Sequence, residues 1–134
     1  MKRAGMFTLV ALVLIGFSVP QADALPVFKK EWEAKYSKKS KNKKFVAKVK
    51  KAKCNLCHYG RSKKNRNDYG KALTKAGLVK AKFKRSRIRK EGAKVKKEIM
   101  AAFDKVAKMK NAKKKTFGSL IKAGDLPGTD PKKK

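Results

Sequence analysis

Residues 53–60 read Lys53-Cys54-Asn55-Leu56-Cys57-His58-Tyr59-Gly60, and they hold both cysteines and the only histidine of a 134-residue chain. Upstream, Phe45, Val46 and Val49 recur at helical spacing, so the C-x-x-C-H run is expected at the end of a helix rather than after a strand. Downstream, Asn67 or Asp68 can cap a helix that carries Tyr69, Ala72, Leu73 and Ala76 on one side. No alternating strand pattern occurs anywhere in the sequence. The fold expected around the motif is therefore all-α.

Two thiols and one imidazole at this spacing match what covalent haem attachment requires. Each sulfur can add across one haem vinyl group to form a thioether, and the adjacent histidine can then ligate the iron. Three other readings use the same residues. A Cys54–Cys57 disulfide would close so small a loop that it constrains the unfolded chain little. A thioredoxin-like redox pair belongs to a βαβ unit, and none is present. Structural zinc takes four ligands, whereas only three cysteine or histidine donors exist.

The ends of the chain bear on this choice. Residues 1–24 combine basic Lys2 and Arg3, an apolar run from Met6 to Val19, and the small pair Ala22 and Ala24, the three parts of a secretory signal. The run is shorter than the roughly 20 apolar residues of a spanning helix and is interrupted by Pro20. Cleavage near Ala24 is expected, giving an exported protein, periplasmic in a bacterium and soluble after processing. Haem attachment of this type belongs on that side of the membrane. The segment 25–131 is expected to be one haem domain and 132–134 a flexible basic tail.

Other punctuation completes an arrangement of four or five short helices. Phe28, Trp32 and Tyr36 lie four residues apart and put three aromatics on one face of an opening helix from Leu25 to Tyr36. Ser37 to Lys44 reads as a polar connection. Gly77 can close the helix after the motif. Ser86 can cap the longest helix, running to about Lys110, with Ile88, Val95, Ile99, Ala102, Phe103, Val106 and Met109 on one stripe and Met100 off it. Thr116 can cap a last helix that Gly124 closes. The stretches Arg61–Asn65 and Thr116–Gly128 show no chemistry in their residue types, and they are expected to serve as a haem-edge loop and a terminal cap.

On the signal, Phe45 ahead of Cys54-x-x-Cys57-His58, and the flanking helices, the chain resembles the small single-haem c-type cytochromes of the class I-like bacterial kind. That resemblance implies one covalent haem on Cys54 and Cys57, His58 as proximal ligand, a distal methionine, and one-electron transfer without catalysis of a substrate reaction. Since His58 is the sole histidine, two histidines from one chain cannot flank the iron. Met109 is the expected distal donor, with Met100 as second choice. Both fall within or at the end of a predicted helix, whereas the family takes this ligand from an irregular loop. A lysine, a water or an empty position are the alternatives, and an open distal site would suit binding of a small ligand.

Forty lysines and arginines against nine acids give a formal charge of +31. Lys48, Lys50, Lys51 and Lys53 precede the cysteines, and Lys63 and Lys64 follow the histidine, so a basic surface for acidic redox partner proteins is expected. Polyanion binding by a secreted protein with a Cys54–Cys57 disulfide is the runner-up, with transient contact to an anionic membrane surface. Nucleic acid is not the expected partner. Export argues against it, and the aromatics lie on apolar faces instead of interleaving with the lysines as a stacking platform.

Overall fold

The computed structural model describes residues 26–129, so the signal segment and the tail from residue 132 lie outside the described residues. Among those residues there are six α-helices and no strand: α1 (Pro26–Trp32), α2 (Lys43–Ala52), α3 (Asp68–Lys75), α4 (Arg85–Lys90), α5 (Gly92–Ala107) and α6 (Phe117–Lys122). The all-α class is as the sequence indicates, while the helix number exceeds the expected four or five. The added element comes from a break. The single helix expected from Ser86 to about Lys110 is α4 and α5, interrupted at Glu91 (φ −120°, ψ 33°). Ser86 lies inside α4, and Lys84 occupies the cap position without a side-chain bond.

α5 is the hub against which α1, α3, α4 and α6 pack. Its stripe of Val95, Ile99, Ala102, Phe103 and Val106 is buried, as spacings of three and four residues demand. Met100, expected off the stripe, packs partly buried against the core, as does Met109 beyond the helix end.

Pro26 opens α1, where its missing N–H costs no helix bond. The helix then widens into a π-helical turn over Glu33–Ser37, closed by Lys38 N–H donating to Glu33 O at 2.8 Å. The aromatic face works as core: Trp32 is buried, with ring centres 5.2 Å from Tyr36 and 6.3 Å from Phe45. Its indole N–H donates to the Tyr69 hydroxyl at 2.8 Å, so the one polar atom of each ring is satisfied by the other inside the core. Tyr69 is itself fully buried and meets Phe117 edge-on at 5.1 Å. This chain of rings ties α1, α2, α3 and α6 together.

The helix ends follow local chemistry. The Asn42, Asn67 and Thr116 side chains accept from the backbone N–H groups of Phe45, Gly70 and Ser119, capping α2, α3 and α6. α3 and α6 finish on Gly77 (φ +95°) and Gly124 (φ +82°), after which Leu78 N–H returns to Leu73 O and Asp125 N–H to Leu120 O.

Candidate functional site

α2 delivers the chain to the motif through an unusual residue. Lys53 has φ +47° and ψ −115°, a conformation that a side chain disfavours, and it turns the backbone sharply into a 3₁₀ turn over Lys53–Leu56. Cys54 is the second residue of this turn and is exposed, Leu56 is buried, and Cys57 lies half-buried just after it. The Cys54 carbonyl accepts from the N–H groups of both Cys57 (3.3 Å) and His58 (3.1 Å), which fixes the two thiol-bearing residues and the imidazole in one tight coil.

α3 clamps that coil from the other side. Asn67 is buried, and its side chain works at both ends. Oδ1 accepts from Gly70 N–H at 2.9 Å, and Nδ2 donates to the carbonyls of Asn55 and Leu56, each at 3.3 Å. Its backbone N–H donates to Cys57 O at 3.1 Å. Gly70 is required by the same clamp, since a Cβ there would run into the Cys57 carbonyl and meet Arg66 Cβ at 3.2 Å. The C-terminal segment backs the clamp: Gly128 packs against the Asn67 amide, and Thr129 donates to both carboxylate oxygens of Asp68 at 2.6 and 2.7 Å. Thr116–Gly128 thus braces the motif loop at its far end.

The loop from His58 to Arg66 closes on itself through an antiparallel bridge between those two residues. Within it the His58 Nδ1 lies 3.0 Å from the Asn65 carbonyl oxygen. A carbonyl can only accept, so Nδ1 carries the proton and the neutral ring keeps its lone pair on Nε2. Burial depresses the His58 pKa, Arg66 and Lys63 depress it further, and the Asn65 bond opposes them. A neutral imidazole with its second nitrogen anchored to a backbone carbonyl is the arrangement found in metal-ligating histidines. Burial, helped by the neighbouring Cys54 and opposed by Arg66, pushes the Cys57 thiol up to about 12, so it stays protonated at neutral pH.

Cys54, Cys57 and His58 all line one cavity of about 620 Å³, within the 300–1,000 Å³ typical of small-molecule and cofactor sites. Phe28 of α1, Leu56, Leu73 of α3 and Leu78 supply apolar walls, and Gly70 lies among the lining residues. Lys53, Lys63, Lys64 and Arg66 stand among the lining residues with no carboxylate beside them in the wall. Apolar walls, two thiols, an anchored imidazole and a cationic border suit a flat, apolar, dianionic macrocycle. Both cysteines are free thiols. Among the described residues no group of three or more His, Cys, Asp or Glu side chains is gathered for a metal ion.

The structure does not bring the two methionines to this place. Every lining residue falls between Pro26 and Lys80, so nothing from α4, α5 or α6 reaches the cavity. Met109 is held elsewhere, its N–H donating to Val106 O at 2.9 Å and its carbonyl accepting from Phe117 N–H at 3.0 Å. Sequence reasoning missed the Asn65 carbonyl, because a backbone acceptor leaves no mark in residue type. It also assigned Asn67 only a capping role. The Asn67-Asp68-Tyr69-Gly70 run was a usable signal, since it places a cap, a buried ring and a bare α-carbon immediately after the motif loop. No protein-family model, curated protein or solved structure matches the chain.

Proposed function

We propose that the chain is an exported, single-haem c-type cytochrome that passes one electron at a time between partners. The observation that carries this reading is the His58 ring. It lines the same cofactor-sized cavity as Cys54 and Cys57, and its Nδ1 is spent on Asn65 O, leaving Nε2 as the available donor.

In this reading Cys54 and Cys57 would hold the haem through thioethers, while the Asn65 carbonyl fixes the orientation of the His58 ring. Phe28, Leu56, Leu73 and Leu78 would shield the bound group from water. The bound haem supplies an iron couple whose potential depends on axial ligand and burial. Lys53, Lys63, Lys64 and Arg66 would offset the negative charge of the bound group and present a basic edge to acidic redox proteins, an attraction that weakens with salt.

The test is to produce the full chain with and without a haem-attachment system and to record visible spectra with and without reductant. Haem bands that survive acid-acetone extraction, and are lost in C54S/C57S, are the expected result. A colourless product in the presence of that system would refute the reading.

A further inference from the structure

We propose that the solvent face of α2 binds a linear acidic polysaccharide, one that carries carboxylate or sulfate groups along its length. No step of this binding involves the haem.

Residues 34–67 hold fourteen lysines and arginines and no aspartate or glutamate, and α2 lies within them. At 3.6 residues per turn, Lys50, Lys43, Ala47, Lys51, Lys44 and Lys48 succeed one another around an arc of about 160°, and all six are exposed. Phe45 and Val49, on the opposite arc, are buried. Along the helix axis Lys43 and Lys50 form one row and Lys44 and Lys51 a second, each pair about 10 Å apart. Lys53, also exposed, continues the basic surface past the helix end.

Part of this arrangement works against the helix. Lys43 and Lys44 occupy the first turn, where the helix dipole favours acids, and no acid is there. Lys44 and Lys48 at i,i+4, and Lys48 and Lys51 at i,i+3, set like charges side by side. Lys48 is paired with Asp125 at 2.8 Å, but among the described residues no ion pair includes Lys43, Lys44, Lys50 or Lys51. A polyanion laid along the two rows would relieve the repulsion.

The rest of the face selects the kind of polyanion. A protein partner needs buried aromatic or aliphatic anchors, and the arc offers only Ala47. A membrane-surface helix inserts its apolar side among the lipids, whereas that side of α2 is spent in the core on Phe45 and Val49. Single-stranded nucleic acid needs rings to stack on, and the arc carries none. A linear acidic polysaccharide needs only cations repeated along a line, as in lysine-rich heparin patches.

The full chain is expressed, and the purified product is titrated by fluorescence anisotropy with end-labelled heparin and alginate oligosaccharides, with dextran as the neutral control. Salt is varied from about 0.05 M to about 0.2 M; on the scale of single-stranded polyanions each lysine contact adds about −0.7 to the slope of log affinity against log salt. Expected is binding to both acidic chains and none to dextran. K43Q/K44Q/K50Q/K51Q should make the slope shallower by about 3 and weaken binding at least about tenfold at the lowest salt. The half variants K43Q/K44Q and K50Q/K51Q should each give about half of that change. Lys48 is left in place because it ties Asp125.

The control K90Q/K97Q/K105Q/K108Q removes the same charge from exposed positions on α4, on α5 and just beyond α5. It should change the slope by less than about 1. K43R/K44R/K50R/K51R keeps the charge and should bind like the native chain. An equal loss in the control would overturn the assignment to α2, as would an arginine variant that binds no better than the glutamine one. Tighter binding to vesicles of phosphatidylglycerol and phosphatidylcholine, with the same dependence on α2, would overturn the polysaccharide in favour of a membrane surface.

Discussion

Replacing Gly70 by alanine probes the joint between the motif and the helix behind it. The added methyl group would press on the Cys57 carbonyl, with the Cys57 carbonyl carbon at 3.0 Å and Arg66 Cβ at 3.2 Å. Both the carbonyl and Gly70 are backbone, so no flexible side chain can yield. Overpacking of this kind costs about 1–3 kcal/mol. The 3.1 Å bond from Asn67 N–H to Cys57 O must also stretch, a further loss of about 1 kcal/mol. Against these, alanine gains about 1 kcal/mol over glycine inside a helix. The net expectation is a destabilisation of about 2 kcal/mol, or a melting temperature lower by about 10 °C for a domain of this size. Gly92 is the matched control: it also lies in a helix, but a Cβ there meets nothing within 4 Å, so G92A should be neutral or stabilising by up to about 1 kcal/mol. Urea unfolding of both variants, with the yield of covalent haem as a second readout, makes the comparison. G70A as stable as G92A would refute the clamp, as would G70A that unfolds easily yet attaches haem at the normal yield.

Four further outcomes follow from the same geometry. Asn67→Ala removes the α3 cap and strands two carbonyls, for a loss of about 2–3 kcal/mol in urea unfolding, whereas Asn67→Asp keeps the cap acceptor and should lose less. Tyr69→Phe leaves the buried Trp32 N–H without its 2.8 Å partner, costing about 1–3 kcal/mol and moving the tryptophan fluorescence of the native state. Burial raises the pKa of Tyr69 and pushes Tyr36 to about 12; phenols ionise near 10 in the unfolded chain, so stability should be full below about pH 10 and fall as pH rises above it. The Glu98 carboxylate is held below its ordinary pKa mainly by its bond to Arg87 at 2.6 Å, so its contribution is present at neutral pH and lost on acidification below about pH 4; thermal melts of E98Q should show a shallower acid limb.

Local signals were legible where local chemistry decides. Asn67, Thr116, Gly77 and Gly124 could be placed because a cap or a left-handed residue is determined by its own few neighbours. The α4–α5 break could not be, since Ile88 continues the apolar spacing of α5 across it. What supports the break is tertiary: Arg87 reaches across to Glu98, donates to Lys82 O at 3.2 Å, and lies 5.6 Å from the Phe83 ring centre. Phe83 was equally unplaced, yet it is buried and meets Phe28 edge-on at 5.1 Å, forming part of the support beside the cavity. At the site, the sequence marks the three chemical groups and says nothing of the carbonyl that orients one of them or of the walls that face them. Those partners come from residues 7 to more than 20 positions away, where periodicity carries no information.

The charge distribution connects fold to site. Seven acidic residues fall within residues 26–129, and each is engaged: Glu31 with Lys96, Glu33 with Lys29, Glu91 and Glu98 with Arg87, Asp104 with Lys35, Asp125 with Lys48, and Asp68 with Thr129. Several of these contacts join different elements, such as α1 to α5 and α2 to the segment after α6, so the few carboxylates act as ties between helices. None is left to line the cavity. With so large a cationic excess, a carboxylate moved into that wall would locally cancel the field, and a tie elsewhere would be lost. The basic border is therefore a consequence of where the acids are used, and it edges the same cavity that Cys54, Cys57 and His58 line.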